Sequence, residues 1–188
     1  DGSTWADAYG SLSDALANAT AGDEVWVAEG VYTPTVGITR TATFSLVNGV
    51  ALYGGFAGTE TQRMQRDWAA HVTVLSGDLD RDDGTDANGV VTNTAKLQGA
   101  NAYHVVIGNG VTETVILDGF TITAGKADGE GHQPQSKGGG MFSDNSRSAL
   151  SNVTFAGNRA EYGGGMYNFD GSPTLTHVRF RDNQARAG

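Results

Sequence analysis

A chain of 188 residues with 28 glycines, 3 prolines and no cysteine can bury one sizeable core, but it can hold neither a disulfide nor a thiolate metal site. Its formal charge is −9, from 12 Lys and Arg against 21 Asp and Glu, and its basic residues form no cluster of the kind a nucleic-acid surface needs. No apolar run approaches the roughly 18 residues of a membrane span, and the chain opens at Asp1 without an initiator Met or leader, as a processed protein or a cut piece does.

The first expected element is a helix over residues 11–19. Ser11 or Ser13 is placed to cap it, Leu12, Ala15, Leu16 and Ala19 share one face, and Gly22 is placed to end it. One amphipathic helix ahead of many strands suits the open end of a first layer, where it shields core and edge from water. Short apolar runs follow at 25–28, 43–46, 50–53, 72–75, 104–107, 115–117, 120–122, 153–155 and 178–180. They are separated by Gly, Asn and Asp, and several alternate with β-branched residues, as half-buried strands do. Trp5, Tyr9 and Trp26 are expected to pack under the helix. Trp68, after the polar stretch 59–67, is the aromatic candidate for ligand binding.

Between two of these strands lies Asp78-Leu79-Asp80-Arg81-Asp82-Asp83-Gly84-Thr85-Asp86. The carboxylates of Asp78, Asp80, Asp82, Asp83 and Asp86 repel one another unless solvated or neutralised, and acidic residues at alternate positions of a Gly-containing loop suit a hard cation such as calcium. The match to an EF-hand is imperfect: counting from Asp78, position 6 is Asp83 where Gly is wanted, and position 12 is Gly89 where Glu is wanted. A solvated acidic loop is the alternative reading.

From Gly138 onward the chain repeats itself. Gly138-Gly139-Gly140-Met141 returns as Gly163-Gly164-Gly165-Met166, and Leu150, Val153, Phe155, Asn158 and Ala160 return as Leu175, Val178, Phe180, Asn183 and Ala185, each 25 residues later. Leu117, Phe120, Ile122 and Ala127 match Leu150, Val153, Phe155 and Ala160 at an offset of 33, so one earlier rung carries 8 extra residues within 128–135. That stretch reads as a loop inserted at a corner, and His132 within it is the second ligand-binding candidate. His71, His104 and His177 are dispersed and form no H-x-x-H arrangement.

A period of 25 without a dense leucine pattern, and too short for a propeller blade, fits one coil of a parallel β-helix: three short strands and three turns, with coils stacked about 4.8 Å apart. Phe155 and Phe180 then stack inside. Asn158 and Asn183 stack at a turn, where an amide bonds the neighbouring rung and tolerates left-handed geometry, and the triple glycines form a corner too tight for side chains. Gly188 stands 25 after Gly163, so a third Gly-rich corner is expected to begin there. The open C-terminal end is expected to meet either further rungs of a longer chain or another copy.

Gly163-Gly164-Gly165-Met166-Tyr167-Asn168, Ser172-Pro173-Thr174-Leu175 and Phe180-Arg181-Asp182-Asn183 resemble the GG-x-x and F-x-x-N repeats of bacterial right-handed β-helix surface proteins, such as the polymorphic outer-membrane (autotransporter-type) proteins of chlamydiae. Residues 30–34, 52–56, 65–67 and 117–122 are similar to the N-terminal part of many large secreted β-helix proteins. The resemblance spans nearly the whole chain and implies fold and surface location. It implies no single activity, because the group mixes adhesins with structural proteins, and pectate-lyase-like enzymes share the fold. Such enzymes need carboxylates converging on one sheet with basic groups nearby, and no such cluster falls on the expected strands; Arg179, Arg181 and Asp182 read as a surface ion-pair patch.

The expectation is therefore an all-β, right-handed parallel β-helix forming a single domain over 1–188. It comprises a cap over 1–22, irregular rungs over 23–137 and regular rungs over 138–188. The expected role is non-enzymatic: an extracellular or cell-surface bacterial module, adhesive or structural, serving as a stalk segment or filament subunit. The alternative is a carbohydrate-binding or polysaccharide-degrading β-helix working near Trp68 and the 78–86 loop. Expected partners are copies of itself or further rungs, or glycans.

Overall fold

The computed structural model describes residues 2–187, so the corner expected at Gly188 lies outside them. In chain order the elements are α1 (Leu12–Asn18), β1 (Glu24–Ala28), β2 (Gly30–Tyr32), β3 (Phe44–Ser45), β4 (Ala51–Phe56), β5 (Thr73–Ser76), β6 (Val106–Asn109), β7 (Ile116–Asp118) and β8 (Phe120–Thr123). There follow β9 (Lys126–Ala127), β10 (Met141–Asp144), β11 (Ala149–Ser151), β12 (Thr154–Ala156), β13 (Arg159–Tyr162), β14 (Met166–Phe169), β15 (Thr174–Thr176), β16 (Arg179–Arg181) and β17 (Gln184–Ala187). Ser11 caps the helix by accepting from Asp14 N (3.0 Å), and the helix ends at Ala19, which is extended, before Gly22 is reached. No helix among the described residues is long and apolar enough to cross a membrane.

The strands pair in parallel into four sheets. The first is ordered β1-β4-β7-β11-β15, the second β2-β5-β8-β12-β16, the third β9-β13-β17 and the fourth β3-β6-β10-β14. The chain visits them in a fixed order, first, second and fourth in the early circuits and with the third inserted before the fourth from β9 onward, and each circuit lies beside the one before it. This is a solenoid-like β fold. Three strands per turn were expected, but the later circuits have four: β9, β13 and β17 add a short sheet at the corner, where Ala127, Ala160 and Ala185 fall in register and their small side chains let neighbouring circuits approach.

Registers carry the core from circuit to circuit. Leu52, Leu117, Leu150 and Leu175 are aligned in the first sheet, and Leu75, Ile122, Phe155 and Phe180 in the second. The Phe155 and Phe180 rings stack, with centroids 4.9 Å apart and planes 6° apart. Leu12 and Leu16 of α1 are buried in the same core beside Val27 and Phe44. Trp5 and Trp26 both pack on Phe56, Trp26 stacked at 4.9 Å and Trp5 tilted at 5.6 Å, and with Tyr9 they line a cavity that Leu12 and Ala15 of α1 also line.

Asn158 is fully buried. Its Nδ2 donates to Ile122 O (2.9 Å) in the preceding circuit, its Oδ1 accepts from Gly125 N (3.0 Å), and Asn183 repeats the reach one circuit on by donating to Phe155 O (2.8 Å). Neither Asn158 nor Asn183 is left-handed; the left-handed pairs 25 apart are Gly138 and Gly163 at the triple-glycine corner, Asn145 and Asp170, Asn152 and His177, and Gly157 and Asp182. The amide ladder therefore joins circuits, while other residues turn the corners.

Candidate metal centre

Between β5 and β6 the chain leaves the circuit over residues 77–102 and returns along the same flank. Gly77 N donates to Thr123 O (2.9 Å) where the excursion leaves, and Ala102 N donates to Gly77 O (2.8 Å) where it closes. Leu79 N donates to Ala100 O (3.0 Å), and Asp78 faces Asn101 in an antiparallel bridge. Inside this closure Arg81 takes a left-handed φ of 61°, which turns the next two N–H groups back on Asp78: Oδ1 accepts from Asp82 N and Oδ2 from Asp83 N, both at 3.2 Å.

The turn gathers one oxygen each from Asp78, Asp82 and Asp83 to within 4.8 Å of one another. Asp78 is buried, Asp83 half-buried and Asp82 exposed. Asp80 stands at the rim, its Oδ2 accepting from Ala100 N (2.9 Å). A Cβ on Gly99 would sit 2.3 Å from Asp80 Oδ2 and 2.6 Å from Asp82 Oδ2, so only glycine lets the backbone lie under these carboxylates. Asp86 is not part of the group: its Oδ1 accepts from Asn88 N (2.9 Å) and Val90 N (3.0 Å), closing a separate turn.

Crowding shows in the proton affinities. Desolvation, aided by the charges of Asp78 and Asp82, pushes the Asp83 carboxyl up to about 6, even though it accepts from Gln98 N (2.6 Å) and Asn101 Nδ2 (2.7 Å). Asp82 is also raised, by partial desolvation and then by the Asp80 and Asp78 carboxylates. The donor set is all oxygen, which suits a hard cation.

Trp68 lies on the connection between β4 and β5, at the corner between the first and second sheets. It is 43 % exposed, with the Arg66 guanidinium 5.0 Å from its ring. His132 lies on the opposite connection, from β9 to β10, exposed and tilted on Tyr162 at 5.6 Å. The two ligand-binding candidates thus occupy different corners, and His132 shares the flank of the acidic excursion. His104 is buried, with Nδ1 3.0 Å from Gly138 O, and burial lowers its pKa. His71 pairs with Glu29 (2.9 Å), and that hydrogen bond raises its pKa.

Two arginines and one asparagine escaped the sequence reading. Arg40 Nε donates to Asn101 O (2.7 Å), and its Nη2 reaches Lys126 O (2.8 Å) and Asp128 Oδ1 (2.5 Å), tying three connections of the flank together. Arg66 pairs with Asp118 (2.6 Å) and donates to Gly54 O (2.9 Å), bridging β4 and β7. Asn101 meets Asp83 from 18 residues away. Residues so far apart in the chain leave no local signal; only the antiparallel return of the excursion brings Asn101 to the acidic turn. No protein family, curated protein or solved structure matches the chain.

Proposed function

We propose that the chain is a right-handed parallel β-helix acting as a non-enzymatic structural or adhesive module on or outside a bacterial cell, as a stalk segment or a filament subunit. The observation that carries this reading is the register. The Leu52-Leu117-Leu150-Leu175 and Leu75-Ile122-Phe155-Phe180 columns, with the Asn158–Asn183 ladder between circuits, are what a stiff rod of stacked rungs requires. The repeats that resemble those of bacterial surface proteins, and the acidic composition, agree with it.

The last described circuit adds a surface for assembly. Leu175 and Phe180 are 44 % and 51 % exposed, and β14 to β17 each pair on one side only, so this edge suits a further rung from the same or another chain. Sedimentation across a concentration series, electron microscopy and a cell-adhesion assay test the proposal. Concentration-dependent rods or adherent particles are expected, weakened by Leu175→Lys with Phe180→Lys; a strictly monomeric, non-adherent species overturns it.

One observation favours the carbohydrate reading as second choice. Phe142 and Tyr167 stack in register on the fourth sheet, 6.1 Å apart and 1° from parallel, with Lys137 Nζ 5.3 Å from the Tyr167 ring. Such a half-exposed aromatic column with a cation suits an acidic sugar chain better than Trp68 alone does. A glycan array with an unsaturated-product assay on acidic polysaccharides decides it: binding lost in Tyr167→Ala supports this reading, and neither binding nor turnover removes it.

A further inference from the structure

The acidic turn of the 77–102 excursion carries charge that the protein itself leaves uncompensated. Among the described residues no Lys, Arg or His forms an ion pair with Asp78, Asp80, Asp82 or Asp83. Coordination chemistry favours one cation over another. Calcium binds oxygen at about 2.3–2.6 Å, so ligands on opposite sides of the ion stand up to about 5 Å apart; magnesium at about 2.0–2.1 Å needs a tighter set, about 4 Å across. The carboxylate oxygens of Asp78, Asp82 and Asp83 lie within 4.8 Å of one another, inside the reach of a calcium shell, and a set built mainly of protein oxygens suits calcium better than magnesium, which gives up its waters reluctantly.

A second observation is independent of the carboxylates. Asn101 is 0 % exposed, and both hydrogens of its Nδ2 are used, on Asp83 Oδ2 (2.7 Å) and Ala124 O (3.1 Å). Its Oδ1 has no hydrogen-bond partner and is the one buried side-chain atom so left among the described residues. Because Oδ1 shares a carbon with Nδ2, it lies within about 5 Å of Asp83 Oδ2. Because Asn101 faces Asp78 across an antiparallel bridge, the two side chains leave the same face. A buried amide oxygen without a donor calls for an electropositive neighbour.

We propose that Asp78, Asp82 and Asp83, together with the Asn101 amide oxygen, coordinate one calcium ion, with water completing the shell and Asp80 adding charge from the rim. The ion's role is to lock the excursion as a clamp along the flank. Asn101 binds Ala124 O, Val91 N donates to Thr123 Oγ1 (3.0 Å), Gly157 leaves room for Val91 O, and Thr94 Oγ1 donates to Gln184 Oε1 (3.0 Å). The clamp therefore touches three successive circuits, and a cation at its base fixes where it starts and ends. The site stands or falls separately from the surface-module reading, because its test concerns the isolated chain alone.

Calorimetric titration of the whole chain, stripped with chelator, is made with CaCl2 and separately with MgCl2, alongside melting curves in each salt. Saturation at one calcium per chain is expected, with a rise in melting temperature that magnesium does not reproduce. Asp82→Asn removes an exposed carboxylate and is expected to weaken calcium binding at least tenfold. Without metal this variant melts no lower than the wild type, since repulsion is relieved. The 13C resonance of the Asn101 side-chain carbonyl is expected to shift with the same saturation curve. Absence of binding heat at millimolar calcium, or equal effects of the two salts, overturns the site; an Asn101 resonance that stays still overturns its fourth ligand.

Discussion

Gly140 shows how a single residue holds two circuits at contact distance. A Cβ there would lie 2.4 Å from Gly165 O and 2.9 Å from the Phe155 ring, so backbone or core must move to admit one. Gly140→Ala is expected to cost about 1–3 kcal/mol in chemical denaturation, by overpacking, whereas Gly10→Ala, into open space, stays within about 0.5 kcal/mol. His104 gives the pH counterpart. Burial favours its neutral ring, so the folded protein holds its pKa below the ordinary 6.5. As pH falls the unfolded chain takes up the proton first. The stability contributed is therefore complete above pH 6.5 and is lost as pH drops through the folded value. His71, raised by Glu29, works in the opposite sense: its contribution is present below 6.5 and is lost as pH rises through its folded value. The comparison must therefore be made against a His104 variant. The melting-temperature advantage of the wild type over His104→Gln is expected to shrink from about pH 7.5 to about pH 5, and a constant difference would show that His104 binds its proton equally well in the folded and unfolded states.

At the level of elements, links between strands matter more than the strands themselves, which are only two to six residues long. Asn158→Ala strands the buried Gly125 N–H and two carbonyls, and should cost about 3 kcal/mol; Asn183→Ala, at the half-exposed last circuit, should cost about 1 kcal/mol. Arg66→Met leaves Asp118 largely buried without its guanidinium, for a loss of about 3 kcal/mol, and urea titration of the three variants gives the order. These links also mark where sequence reasoning succeeds and stops. Leu150, Phe155 and Asn158 recur after 25 residues because each circuit must place the same kind of side chain in the same column, so the spacing was open to reading. Every strand expected from an apolar run has a counterpart among the strands. The 159–162 strand went unseen because its two half-exposed charged residues and small Ala160 give no apolar run. Asp78, Asp82 and Asp83 were legible as a group from composition. That Asp86 caps another turn, and that Asn101 completes the acidic face, follows from the path of the excursion, which obeys no period.

On the scale of the whole molecule, a stack in which each circuit touches only its neighbours should open from its less covered end rather than all at once. Burial along one column gives the direction: Leu117 and Leu150 are fully buried while Leu175 is 44 % exposed, and Ile122 and Phe155 are fully buried while Phe180 is 51 % exposed. Amide exchange is accordingly expected to be slowest in β8 and β12 and much faster in β16 and β17. The same experiment separates an exposed edge that stays bare from one that a second copy covers. Association stabilises only the elements it buries, by mass action, so raising the protein concentration from about 5 to about 500 µM should slow exchange in β15 and β16 and leave β8 unchanged. Protection that is uniform along the stack contradicts the stepwise opening. Protection of β15 and β16 that ignores concentration contradicts pairing between copies and leaves that edge bare in solution.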